Sequence, residues 1–586
     1  MGEMPQGRRR KTLNGIGAGN RHPHATTYSL TTNDMARKII VLLLALAAMP
    51  AGAQQSRHNA ETAKQLDIFN SLYRELDLYY VDTLEAKKNI ENAILYMLDQ
   101  LDPYTVYYPE DKTAELKQMT TGKYAGIGSV ISYRKEPDRC IINKPYADMP
   151  AATAGLRPGD IILSIDGKDT GTCGSGNPGE FSSKVSEALR GQPGTTFSLK
   201  VKRPGTEKPL TFKLTRRTVA LPSVTCHRML TDSIGYVLLD GYTEHTARDL
   251  RRAVAELKQA GARRLVLDLR GNPGGLMGEA VKVVNLFVPR GREVLSTRGK
   301  TKENTATYKT QGDPIDLEMP VAVLTDYGTA SAAEITSGAL QDYDRAVIVG
   351  RRTYGKGLVQ EARNLPYGGV LKLTTSKYYI PSGRCVQAYE FKDGEPVHLP
   401  DSLSKEFRTE AGRIVRDGGG ITPDVIVRED SLPGLIAYLE NSDAMFDYCV
   451  RYRNTHKEIA PPGEFRLTDA EYEDFKAFMK EKKFTYDRQS RSGLEILRKV
   501  ARLEGYAEEA KAEFDALEAK LIHNEDFDFR RWEKEIRRCV ERTIVGFYYY
   551  TRGEAEYELR DDKDLDAALG VLKDDTRYRS ILSGKE

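Results

Sequence analysis

The sequence predicts a multidomain α/β protein: a helical N-terminal segment, a β-rich α+β module, an α/β core on a mostly parallel sheet, and a helical C-terminal region. Three observations predict it. The chain has 586 residues, more than one ordinary hydrophobic core holds. From about Leu210 to Val427, apolar strand-like runs alternate with amphipathic helical runs. Ahead of that stretch short β-like runs are cut by glycine turns, and both ends of the chain carry apolar residues at three- and four-residue steps.

The elements follow in order. From Glu61 to Leu101 the residues Leu66, Phe69, Tyr73, Leu76 and Tyr80, then Ile90, Ile94, Met97 and Leu101, keep helical spacing, and Asp102-Pro103 stops the second helix. This is a helical hairpin within residues 54–116. Residues 117–206 form the β-rich module. "YAGIGSVISY" opens a strand from a glycine turn, "RCIINKPY" is a second strand, and "GLRPGDIILSIDG" sets a strand between two turns. "FSSKVSEALRGQPGT" reads as a helix with Val185 and Leu189 on one face, ended by Gly191. The core occupies 207–430. Its buried strands "RRLVLDLRGNPGG" and "MPVAVLTDYGT" each run into a glycine turn, and helices follow both. Ligands of parallel sheets gather at the C-terminal ends of strands, so the turns Gly271–Gly275 and Gly328–Ser331 should meet there. Residues 431–586 return to charged helical sequence around Trp532.

Composition narrows the function. A 40% hydrophobic and 29% charged chain is that of a soluble globular protein, and a net charge of +3 makes no field for nucleic acid. Six widely spaced cysteines form no compact disulfide framework. No C-x-x-C or H-E-x-x-H occurs, so no metal and no cofactor is expected. From Met35 the chain shows Arg37 and Lys38, eleven apolar residues from Ile39 to Met49, then Ala51-Gly52-Ala53. That order is a signal peptide over 35–53, and the run is shorter than the ~20 residues of a membrane span. Residues 1–34 read as a non-native upstream leader, and the mature chain as exported to the periplasm, with membrane or surface association left open.

Three segments point to chemistry. In "GTASAAEITSG" small residues deliver Ser331 to a helix start, where the amide of Ala332 can face a developing oxyanion. A serine hydroxyl needs a base to become a nucleophile. The nearest histidines, His227, His245 and His398, are far in sequence, and His245 reads as a polar residue at a helix cap. In "RRTYGKGLVQ" Lys356 stands between two glycines in an apolar run; burial there would favour the neutral amine, a base for Ser331. Gln360, four residues on, could orient that amine. In "DLRGNPGG" a backbone N–H of Gly274 or Gly275 could complete an oxyanion hole with Ala332.

In this order and spacing, "LDLRGNPGGL", "DYGTASAAEITSGALQDYDRAVIVG", "RTYGKGLVQ", "YYIPSGRCVQ" and "GGGITPDV" resemble the carboxyl-terminal processing proteases, the tail-specific Ser/Lys peptidases. The resemblance implies Ser331 as nucleophile, Lys356 as general base, Gln360 as its partner, and Ala332 with Gly274 or Gly275 as the oxyanion hole. It implies that 117–206 is a PDZ domain whose loop Gly126, Ile127, Gly128 and Ser129 holds a peptide carboxylate. The implied partners are proteins with apolar, free C-terminal tails, an adaptor protein, and a second copy in a homodimer. The implied activity is serine endopeptidase. The alternative from another class is a non-catalytic PDZ scaffold or ligand-binding relative of the same core.

Overall fold

The computed structural model describes residues 58–428, 432–521 and 524–585. The expected leader and signal peptide lie outside them. Two compact units divide the chain after Ala93. The first contains a helix over residues 58–79 and the start of the helix Ala86–Asp99, as the apolar periodicity predicts. Among the described residues no helix is long and apolar enough to cross a membrane, and no cluster of His, Cys, Asp and Glu could hold a metal ion.

The second unit is built around a six-stranded sheet. Its strands are Val224–Met229, Ile234–Leu239, Arg264–Asp268, Val321–Thr325, Val347–Gly350 and Val425–Ile426, in that spatial order. The first pair is antiparallel and every later pair parallel. Strands buried on both faces read as unbroken apolar runs, and Val321–Thr325 is buried at every position. Helices Thr246–Gln259, Met277–Val284 and Ala332–Asp342 cover one face, packing Leu250, Val254, Val284 and Leu340 against Val237, Leu267 and Val323. The other face carries Tyr236, Val266, Leu324 and Val349, and the last two helices, Lys563–Lys573 and Asp575–Leu582, close it with Leu565, Ala568, Leu572 and Ile581.

A second, antiparallel sheet was not evident from the sequence. It joins Val106–Tyr108, Val370–Tyr379, Glu293–Gly299, Ala306–Lys309 and Leu358–Asn364. Its first strand pairs Val106 with Lys372, so a segment ahead of the β-rich module becomes part of the core.

The β-rich module has strands Ser129–Arg134, Arg139–Pro145, Ile161–Ile165, Lys168–Asp169 and Thr196–Lys202, with helix Pro178–Leu189 across them. One strand lies beyond the expected boundary of 206. Leu210–Thr215 pairs with Thr196 to Val201 and so completes the sheet beside Phe197, Leu199 and Val201. The module's two crossings to the core, Lys123–Gly126 and Arg217–Ala220, pair with each other as one antiparallel ribbon.

The C-terminal region has its own core of Leu435, Tyr448, Phe475, Phe529, Ile536 and Val540. It also touches the β-rich module. Asp443 pairs with Arg134, Glu554 with Lys144, and Asn454 Nδ2 donates to the carbonyl of Pro204 at 3.0 Å.

Candidate active site

The two glycine turns meet as the strand-end rule predicts. Gly271 N–H donates to Asp326 Oδ1 at 2.9 Å, Ala330 N–H to the carbonyl of Asn272 at 2.9 Å, and Thr329 Oγ1 to that of Leu269 at 2.8 Å. Asn272 is fully buried and holds the first turn in shape, donating Nδ2 to the carbonyl of Leu239 and accepting Gly274 N–H at 2.9 Å. Gly274 has φ +91°, and a Cβ there would lie 2.8 Å from the Cβ of Ser331 and 2.8 Å from the amide of Ala332. A Cβ on Gly275 would lie 2.2 Å from the carbonyl oxygen of Tyr242. Neither position admits a side chain.

Ser331 sits between strand Val321–Thr325 and helix Ala332–Asp342 with φ 54° and ψ −113°, a backbone state that serine rarely adopts. What holds it there is Glu334, a fully buried residue one helical turn on. Glu334 Oε2 accepts the amide of Ser331 at 2.8 Å and the amide of Lys356 at 2.8 Å. Its Oε1 accepts Thr353 Oγ1 at 2.6 Å and the amide of Gly355 at 2.7 Å. One oxygen therefore ties the serine turn to the lysine loop. Burial pushes this carboxyl up from its ordinary range, and the donors around it pull the other way. The loop is docked further by Tyr354 N–H on the carbonyl of Thr329 at 3.0 Å and by Gly355, where a Cβ would strike Ala388.

Lys356 extends from this loop toward Tyr104, with Nζ 4.0 Å from the centre of the phenol ring. Its ammonium is pushed down to about 8, first by burial and then by the nearby Lys372, while Asp102 and Glu334 act the other way. Gln360 is held by Thr374. Its Nε2 donates to Thr374 Oγ1 at 3.2 Å, and Thr374 Oγ1 donates to Asp102 Oδ1 at 3.1 Å. Among the described residues no hydrogen bond joins Gln360 to Lys356. Gln360 lies opposite Thr374 in the pairing of Leu358–Asn364 with Val370–Tyr379, where the partner strand carries one extra residue, Thr375. His245 donates nothing to this site, since its Nε2 contacts Lys123 Nζ at 2.9 Å.

Residues 233–396 match peptidase family S41, residues 141–203 a PDZ domain, and residues 435–572 the C-terminal helical domain of a probable PDZ-protease. A carboxy-terminal-processing protease of Bartonella bacilliformis is 34% identical over 68% of this chain and 84% of its own length. The chain belongs to the carboxy-terminal processing proteases of family S41. The carboxy-terminal processing protease CtpB of Bacillus subtilis is 32% identical over 61% of this chain and 72% of its own length. A solved photosystem II D1 C-terminal processing protease is 28% identical over 62% of this chain and 87% of its own, with a TM-score of 0.34.

This S41 peptidase is thus a serine-type peptidase with a PDZ domain. In that domain Gly126, Ile127 and Ser129 line a cleft with Ile131, Ser186 and Leu189, between strand Ser129–Arg134 and helix Pro178–Leu189. Gly128 has φ +70° and turns the loop against Met149, where a Cβ would lie 2.3 Å from the methionine Cβ. Val185 and Leu189, on one face of helix Pro178–Leu189 as the sequence predicts, both pack into the domain core, and Leu189 also lines the cleft. The structure also brings to this site residues that sequence reasoning passed over. Glu334 is the chief of these, and the Ser331-x-x-Glu334 pattern of a capped helix was its signal. Asp102, Tyr104 and Thr374 are brought in by the second sheet, and no pattern in the sequence marks them.

Proposed function

We propose that the protein is an exported, periplasmic serine endopeptidase that binds C-terminal tails in its PDZ cleft and cuts peptide bonds with a Ser331–Lys356 dyad through an acyl-enzyme. The observation that carries this reading is the shared oxygen of Glu334, which accepts the amides of both residues. The neutral Lys356 amine takes the Ser331 proton as Oγ attacks the scissile carbonyl. The oxyanion falls to backbone N–H groups at the helix start. Gly274 N–H is engaged by Asn272 Oδ1, which leaves Gly275 as the glycine donor beside Ala332. The lysine ammonium then protonates the leaving amine, and water releases the acyl group by the reverse proton path. Gln360, held through Nε2 by Thr374, offers Oε1 to the ammonium as it forms. The reaction needs no metal or cofactor.

The tail adds as a strand along Ser129–Arg134, its carboxylate on the loop of Gly126, Ile127, Gly128 and Ser129 and its apolar last side chain among Ile127, Ile131 and Leu189. Ser331→Ala abolishes cleavage of a tail-bearing protein and keeps tail binding; mass spectrometry of the digest reads the first and fluorescence anisotropy of a labelled tail the second. Cleavage retained by the purified variant removes the serine assignment. A wild-type protein that binds tails and cuts none is the non-catalytic scaffold instead.

The helical hairpin supports a homodimer. Leu66, Phe69, Leu72 and Leu76 recur on one side of the helix 58–79 and remain exposed. A second copy is the occupant this apolar row fits, and an adaptor protein is the other partner that fits such a row. Phe69→Glu with Leu72→Glu should convert a dimer to a monomer in light scattering; an unchanged mass excludes this interface.

A further inference from the structure

The C-terminal helical region reaches the catalytic loops through two aspartates. Arg270 is the residue before the turn Gly271–Gly275, and Arg351 opens the loop that ends at Lys356. Arg270 is held from below by Asp268, to which it donates Nε at 3.0 Å and Nη2 at 2.6 Å. On its other side it makes a two-pronged bond to Asp562, Nη1 to Oδ1 at 3.0 Å and Nη2 to Oδ2 at 2.7 Å. Asp564 Oδ2 accepts Arg270 Nη1 at 3.1 Å and Arg351 Nη2 at 2.9 Å. Both aspartates are nearly inaccessible, with side chains 8% and 4% exposed. Planar guanidinium–carboxylate pairs fix orientation as well as distance, and buried ones lose that when either partner is neutralised.

We infer that Asp562 and Asp564 are positioning residues of the active site, which makes the C-terminal helical region a working part of the catalytic unit and not an appendage to it. The clamp is rigid because its own base is rigid. Asp562 Oδ1 caps helix Lys563–Lys573 by accepting the amides of Asp564 and Leu565, and that helix lays Leu565, Ala568 and Leu572 on the central sheet. One helix start therefore sets the oxyanion turn through Arg270 and the base loop through Arg270's neighbour Arg351. Glu334 ties the serine turn to the lysine loop from above, and the aspartate pair ties the glycine turn to the same loop from below.

The inference rests on the proposed peptidase reading, and its test has an arm that does not. Asp564→Asn and Asp562→Asn are made in the full chain; asparagine still caps the helix at 562. On a fluorogenic peptide with a free C-terminus, each should lower kcat by about 10²-fold and change KM by less than about twofold, as misplacement of reacting groups does. Amide hydrogen exchange of 271–275 and 352–357 should rise by about tenfold while strand Val321–Thr325 keeps its protection. Asp564→Glu should recover part of kcat. Wild-type kcat and wild-type exchange in both variants overturn the inference, as does exchange that rises equally through the whole core, which is the mark of a stability brace only. If the wild-type protein cuts no peptide, the peptidase reading fails and the exchange arm alone decides the clamp.

Discussion

Lys356→Ala lowers turnover of a tail-bearing substrate by about 10⁴-fold, the upper range for removal of a positioned general base, while the fold and tail binding persist. The same lysine fixes the pH dependence. Its ammonium is pushed down to about 8, by burial first and by Lys372 second, and only the neutral amine accepts the Ser331 proton. The sign follows. Below about 8 the amine is protonated and the enzyme idle; above it the amine is free, so kcat/KM rises with pH through a limb near 8. Removing this cationic neighbour, as in Lys372→Met, raises the lysine's proton affinity and moves the limb to higher pH. A rate that falls as pH rises through this window, or activity kept by Lys356→Ala, rejects the lysine as base. Tyr104, whose ring stands against Nζ, favours the ammonium through its π face and so opposes the shift that burial and Lys372 produce.

The second large effect belongs to Glu334. Glu334→Gln keeps size and shape and replaces one acceptor oxygen with a donor. Every partner of this carboxylate is itself a donor: the amides of Ser331, Gly355 and Lys356 and the hydroxyl of Thr353. The amide variant must leave part of that set unpaired in a fully buried position. Hydrogen bonds to a charged group contribute about 1.5–3 kcal/mol each, so the loss of two costs about 3–6 kcal/mol of stability. Because the turn and the loop part company, kcat should also fall by about 10²-fold. Chemical denaturation and steady-state kinetics on one preparation measure both. A variant with unchanged kcat shows that the shared oxygen is dispensable to the chemistry.

Much of this architecture was legible before any coordinates. The parallel sheet declared itself in apolar runs such as "VAVLT", and the meeting of the two glycine turns followed from the rule for strand ends. Ser331 and Lys356 stood out because small residues or glycines flank each. The unread parts share a physical cause: they depend on contacts distant in sequence. Val106 pairs with Lys372, and only that pairing brings Asp102 and Tyr104 to the lysine. Leu210–Thr215 alternates cleanly, with Leu210, Phe212 and Leu214 turned inward, but alternation does not name the partner strand, and only its pairing with Thr196–Val201 makes it part of the module it completes. Gln360 is suggested by its four-residue spacing from Lys356, but the Thr374 that holds its amide comes from a neighbouring strand that no local pattern links to it. Glu334 lay inside the most telling motif, yet three of its four donors come from the loop 353–356, which no local pattern links to it.

The paired crossings Lys123–Gly126 and Arg217–Ala220 have a mechanical consequence. Entry and exit of the PDZ domain are laced side by side along one edge, while the C-terminal helices hold the domain at Arg134, Lys144 and Pro204. The carboxylate loop begins where that edge ends, at Gly126. The loop Gly126–Ser129 is therefore the part of the domain nearest to the ribbon that joins it to the core.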